Sequence, residues 1–111
     1  MEHVLFTASL MVETANSHNY AVYCNVLNAS SAPVTGTLEI VEFDGTVIST
    51  ASYNAVAPGV GTGIQVQAFP NNVPITLLYG RITVEGNPES IRGNLLLIDA
   101  NGNTLVSLEA H

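Results

Sequence analysis

The side chains able to do chemistry in this 111-residue chain are few and widely separated. Cys24 is the single cysteine, so no intrachain disulfide can form and no cysteine cluster can hold zinc. It stands in the alternation Tyr20, Val22, Cys24, Val26, which places it on a buried face as a small hydrophobe. A thiol nucleophile needs a base beside it, and His18, the nearest in sequence, falls in the polar, loop-like run Asn16-Ser17-His18-Asn19 ahead of that strand. His3 and His111 belong to the two chain ends, so a histidine metal site requires the ends to meet. A blue-copper arrangement fails as well, because no histidine follows Cys24 before position 111.

Carboxylate pairs fare no better. Glu39 and Glu42 are three apart on one expected strand and so point to opposite faces. Glu85 and Glu89 flank the loop Gly86-Asn87-Pro88, where solvated charge is the plain expectation. Asp99-Ala100-Asn101-Gly102-Asn103 alternates oxygen-bearing side chains like a calcium loop, but its glycine comes fourth and the residue twelve along, Ala110, is no acid. A hairpin turn is expected there. The run Gly59-Val60-Gly61-Thr62-Gly63 lacks the lysine of a phosphate loop, and Asn28-Ala29-Ser30 has the form of a glycosylation acceptor. Sugar stacking would fall to Tyr20, Tyr23, Tyr53 and Tyr79, of which Tyr23 has the parity to face outward. The expectation is a chain that is no enzyme, with no catalytic residue, no cofactor and no metal site.

Composition narrows the partners. The chain has no lysine and only Arg81 and Arg92, against 9 acidic residues and a formal net charge of −7. Nucleic-acid binding, which draws its affinity from counterions released by several cations, is excluded. A polybasic membrane patch is excluded likewise. No stretch approaches the roughly 18 consecutive apolar residues of a membrane span. The 47% hydrophobic content lies in the globular range, and the length suits a single domain over residues 1–111.

What would position these residues is a series of strands, since period-two alternation recurs and helical periodicity does not. Strands are expected at 3–13, 20–28, 34–43, 46–53, 61–69, 75–85, 90–98 and 104–109. The first alternates Val4, Phe6, Ala8, Leu10 and Val12 against His3, Thr7 and Ser9, with Leu5 and Met11 as exceptions. Asp44-Gly45 predicts a two-residue type I′ hairpin joining the third and fourth strands. Pro70 to Pro74 is expected as a loop, and Gly80 and Gly93 as inward positions of neighbouring strands, where a missing side chain points to a bulge or a close backbone approach. Such spacing predicts an all-β, Greek-key sandwich of the immunoglobulin-like type.

The stretch from Tyr20 to Gly59 resembles the immunoglobulin-like modules of exported bacterial proteins, of the CARDB and FxLYD-like kind. The resemblance rests on a strand ending in Asn28, a short Ser/Pro loop, a strand ending Phe43-Asp44-Gly45, a restart at Thr46-Val47-Ile48, and Pro58-Gly59. It implies an extracytoplasmic module, secreted, periplasmic or on the cell surface, with any signal peptide already removed. It also implies work by binding or spacing. Where an immunoglobulin domain carries a second cysteine opposite Cys24, this chain has Gly80, and it has no tryptophan.

The expected function is therefore contact with protein partners, self-association included. The apolar residues that motivate it are Tyr23 and Leu27, Val41 and Phe43, and Leu96 and Ile98, each on the parity opposite to the expected core. The alternative is a glycan- or calcium-binding module using the tyrosines or the turn at Asp99.

Overall fold

Alternating side chains make a strand amphipathic, and strands with one apolar face must bury it against another layer. In a computed structural model of the protein, which describes residues 1–13, 20–67 and 75–111, this produces nine strands among the described residues. They are β1 (Glu2–Phe6), β2 (Leu10–Glu13), β3 (Ala21–Asn28), β4 (Val34–Glu42), β5 (Val47–Val56), β6 (Gly61–Val66), β7 (Ile75–Glu85), β8 (Ile91–Ile98) and β9 (Thr104–Glu109). The expected loop Pro70–Pro74, Ala68 and His18 lie outside the described residues.

All pairings are antiparallel. The first sheet has the order β1-β7-β4-β5, with β2 also on β7, and the second has the order β6-β3-β8-β9. The two pack face to face as a sandwich. Val22, Cys24, Val26, Leu95 and Leu97 of the second sheet meet Leu38, Ile40, Leu78 and Ile82 of the first in one apolar cluster. Leu38, Ile40, Leu78, Ile82 and Leu95 are 0–1% exposed, and full burial of a side chain of this size contributes about 1.5–3 kcal/mol. The expected inward residues of the third, sixth and seventh strands are all in this layer. Two pairings, β3 with β6 and β4 with β7, are those an immunoglobulin-type sandwich makes between its second and fifth and its third and sixth strands. Two are not: β8 lies beside β3, and the first strand lies beside β7.

The expected single strand at 3–13 is two strands, because a bulge interrupts it. Phe6 pairs with Arg81 and Leu10 with Leu78, so three residues on one chain oppose two on the other. At the bulge Thr7 replaces the regular ladder: its N–H donates to the Gly80 carbonyl at 3.0 Å, and its hydroxyl accepts the Gly80 N–H at 2.8 Å. The extra residue reverses the alternation. Leu5, not Val4 or Phe6, packs on the core, while Val4 and Phe6 are 44% and 46% exposed and Leu10 and Val12 are buried.

The Asp44-Gly45 turn joins β4 to β5 as expected, but by three residues rather than two. Gly45 N–H donates to the Glu42 carbonyl at 2.8 Å and Glu42 N–H to the Thr46 carbonyl at 2.8 Å, with φ +94° at Gly45 alone. A type I turn followed by a left-handed glycine is the common three-residue hairpin. Asp44 favours it because its Oδ1 accepts the Thr46 N–H at 2.9 Å. The β8–β9 hairpin repeats the device, with Gly102 at φ +82° donating to the Asp99 carbonyl at 3.1 Å.

One further link joins the sheets at their edges. His111 donates its N–H to the Phe6 carbonyl at 2.9 Å and accepts the Phe6 N–H at 3.0 Å, so the segment after β9 also satisfies the edge strand β1.

Candidate functional site

Most residues with chemical potential are committed to holding the fold. Cys24 is fully buried, and burial pushes its thiol up to about 12, which keeps it protonated and unreactive at neutral pH. The chain ends do meet, through Phe6 and His111, but His3 sits three residues further along β1, opposite Val84. Among the described residues no three His, Cys, Asp or Glu side chains gather into a possible metal-binding group. Glu39 faces outward from β4 and forms a bidentate pair with Arg81, at 2.8 and 2.9 Å, which holds its carboxyl below the usual range. Glu42 lies inward and is 4% exposed. Glu85 and Glu89 are exposed on either side of the turn at Pro88.

Asp99 has its carboxylate occupied by its own turn. Oδ1 accepts the N–H groups of Asn101 and Asn103 at 2.9 Å each, and Oδ2 accepts the Asn103 amide at 3.3 Å. These bonds, led by that from the Asn103 backbone, lower its pKa, and they build the expected hairpin. Asn28, read from sequence as the acceptor of a glycosylation triplet, is 1% exposed. Its Nδ2 donates to the carbonyls of Ala32 and Val56 at 2.7 and 2.8 Å, and its Oδ1 accepts from the N–H and hydroxyl of Ser30 at 2.8 and 2.7 Å. With every valence used, Asn28 is a buried staple between the end of β3, the following loop and β5.

Surface chemistry is therefore left to the outer faces of the two sheets. On the first sheet, Leu77, Tyr79 and Arg81 alternate outward from the buried Leu78, Gly80 and Ile82 of β7. Register sets Met11 against Leu77 and Phe6 against Arg81, and the Phe43 N–H reaches the Leu77 carbonyl at 2.9 Å. The result is an uncovered apolar cluster in which Phe43 is 73%, Met11 61%, Phe6 46% and Val47 40% exposed. The Phe6 and Tyr79 rings lie 6.2 Å apart at 51°.

On the second sheet the outward rows mix polar side chains with Leu96. One runs Gly63, Asn25, Asn94, Glu109 across β6, β3, β8 and β9, and the next runs Gln65, Tyr23, Leu96, Ser107. Asn25 Nδ2 donates to Asn94 Oδ1 at 3.0 Å, which fixes both amides. A Cβ at Gly63 would stand 2.1 Å from Asn25 Oδ1, so only glycine there lets the amide lie against β6. Three concavities adjoin along this face. One of about 500 Å³ is lined by Asn25, Arg92, Asn94 and Glu109. A second of about 440 Å³ shares Asn25 and Gly63 with it and adds Tyr23 and Gln65. The third, about 380 Å³, shares Tyr23 and adds Tyr20, Gln67 and Asp99.

The six apolar residues expected to mark an interface thus divide between the faces. Val41 and Phe43 belong to the first sheet, where Val41 is fully covered, and Tyr23, Leu27, Leu96 and Ile98 to the second, where Leu27 alone is exposed, at 44%. Phe6 was hidden from sequence reasoning by the bulge at Thr7, whereas Met11, an apolar exception on the outward parity, is exposed as that parity implies. No known family profile, curated protein or solved structure matches this chain. No helix among the described residues is long and apolar enough to cross a membrane.

Proposed function

We propose that this chain is a non-catalytic binding module, extracytoplasmic and related to the immunoglobulin-like modules of exported bacterial proteins, which self-associates through the outer face of its first sheet. The observation that carries the contact surface is the exposure of Phe43, Met11, Phe6 and Val47 on one face. A contiguous apolar surface of this kind is costly in water and marks an interaction site.

A second copy suits the patch by charge. The charged pair within it, Glu39 and Arg81, is internally neutralised, so apposing two patches brings no unmatched charges together. With −7 on each chain, long-range repulsion opposes the approach and salt relieves it. Self-association that strengthens with salt is therefore the signature. The immunoglobulin-like relation draws support from the β3–β6 and β4–β7 pairings and from the position of Gly80 against Cys24. The extracytoplasmic setting draws support from the lysine-free, acidic composition.

Sedimentation equilibrium at low and high salt tests the contact. The expected result is a concentration-dependent dimer that tightens with salt and is lost in Phe43→Asp and in Met11→Glu. A chain monomeric at every concentration and salt, or variants that dimerise like the wild type, would overturn it. Cell fractionation with immunodetection tests the compartment, and recovery from the cytoplasm alone would overturn that part.

A further inference from the structure

We propose that the trough on the outer face of the second sheet is a binding site for an uncharged polysaccharide, on a surface separate from the self-association face. Three observations carry it.

The first is the kind of side chain the trough presents. Asn25, Asn94 and Gln65 offer amides that donate and accept at once, Ser107 adds a hydroxyl, and Tyr23 adds a ring on the shared wall of two concavities. Paired donors and acceptors beside an aromatic surface match a ligand whose hydroxyls both donate and accept and whose C–H faces are apolar. The Asn25–Asn94 bond orients two of the amides beforehand, so less side-chain entropy is lost on binding.

The second is charge. Arg92 stands against Glu109 and Asp99 on the trough, one cation and two carboxylates, and the chain as a whole carries −7. An acidic polymer is repelled, and a basic one gains little beyond Glu109 because the Asp99 oxygens are already engaged by their own turn, so an uncharged chain is the complement.

The third is shape and position. The adjoining concavities follow β3 from Leu27 to Ala21, about 20 Å at the usual strand rise, and form an open path for a chain and not a closed pocket for a small molecule. Backbone groups of the central strands β3 and β8 are already spent in the ladders on both sides, so a peptide cannot add there by strand pairing. Recognition falls to the side chains. Gly61 and Gly63 keep the floor low at the β6 side.

Affinity electrophoresis of the full chain through gels containing hydroxyethyl cellulose, glucomannan or laminarin tests this, with polygalacturonate as the polyanionic control. At least one neutral polymer is expected to retard the wild type and polygalacturonate is not. Tyr23→Ala should weaken retardation about tenfold and Gln65→Ala about threefold, as loss of a stacking surface and of one hydrogen bond predict. Phe43→Asp should be retarded like the wild type, which separates this site from the self-association face. Thermal melting checks each variant, and if Tyr23→Ala is unfolded, the exposed Gln65→Ala decides. No retardation by any neutral polymer would overturn the proposal. So would folded Tyr23→Ala and Gln65→Ala variants that bind like the wild type, or polygalacturonate retarding the chain as strongly.

Discussion

Cys24 on β3 and Gly80 on β7 face each other across the sandwich, so closely that a Cβ added at position 80 would stand 3.1 Å from the Cys24 Sγ. In a disulfide, an S–S bond of about 2.05 Å places each Cβ about 3 Å from the partner sulfur. The relation read from sequence, glycine where a second cysteine would stand, is thus a spatial one.

Gly80→Cys should therefore form a disulfide with Cys24. Closing so long a loop stabilises by up to about 4 kcal/mol, and crowding against the Thr7 methyl, 3.2 Å from the added Cβ, reduces the gain. Denaturant midpoints of the variant with and without reductant measure it, the oxidised form being expected as the more stable by about 2–4 kcal/mol. Two alkylatable thiols in the air-oxidised variant would show that the sheets do not meet as described.

In the wild type, the Cys24 thiol should resist alkylation until the chain unfolds, because burial both hides it and holds it protonated, with its pKa raised to about 12. Labelling followed against denaturant should coincide with the loss of β-structure. Reaction at the rate of a free thiol in native buffer would contradict the packing of β3 on β7.

Asn28→Leu should be among the most damaging substitutions. It leaves the Val56 carbonyl and the Ser30 N–H without their Asn28 partner, while the Ala32 carbonyl keeps the Ser30 hydroxyl, at about 1–3 kcal/mol for each group left unsatisfied. A melting temperature lower by about 10 °C or more is expected for a chain of this size. A change of only a degree or two would show that the loop reorganises around the site.

Stability should fall on the acid side. Folding lowers the pKa of Glu39 through its Arg81 pair, and of Asp44 and Asp99 through hydrogen bonds within their turns. A carboxyl depressed by folding contributes fully above its unfolded value and loses that contribution as pH drops through its folded value. Melting temperature should hold steady from neutral pH down toward the ordinary carboxyl value of 4.5 and decline below it. Glu39→Gln should flatten part of that decline and cost at most about 1 kcal/mol at neutral pH, since the pair is partly solvated. A decline just as steep in Glu39→Gln would assign it to other groups.

Strand identity was legible from the residues alone wherever one face is buried and the neighbours are regular. Leu38 and Ile40, Ile82 and Val84, and Leu95 and Leu97 declare their inward faces by alternation, and the glycines at 45 and 102 declare hairpins. Burial of Cys24 followed from the same local pattern, as did the separation of Glu39 from Glu42. Tertiary structure decided whatever depends on a partner far along the chain. Thr7 breaks the first strand because Gly80 lies opposite it, and that break turns Phe6 outward, onto the face where Met11 already pointed. Asn28 is a staple because Val56 comes within reach of its amide. Asn25, Asn94, Gln65 and Tyr23 share one surface only because β6, β3 and β8 are neighbours. Local sequence determines which way a side chain points from its own strand, through a period of two that needs no partner. The order of strands determines which side chains meet, and it is settled by the packing of the whole core.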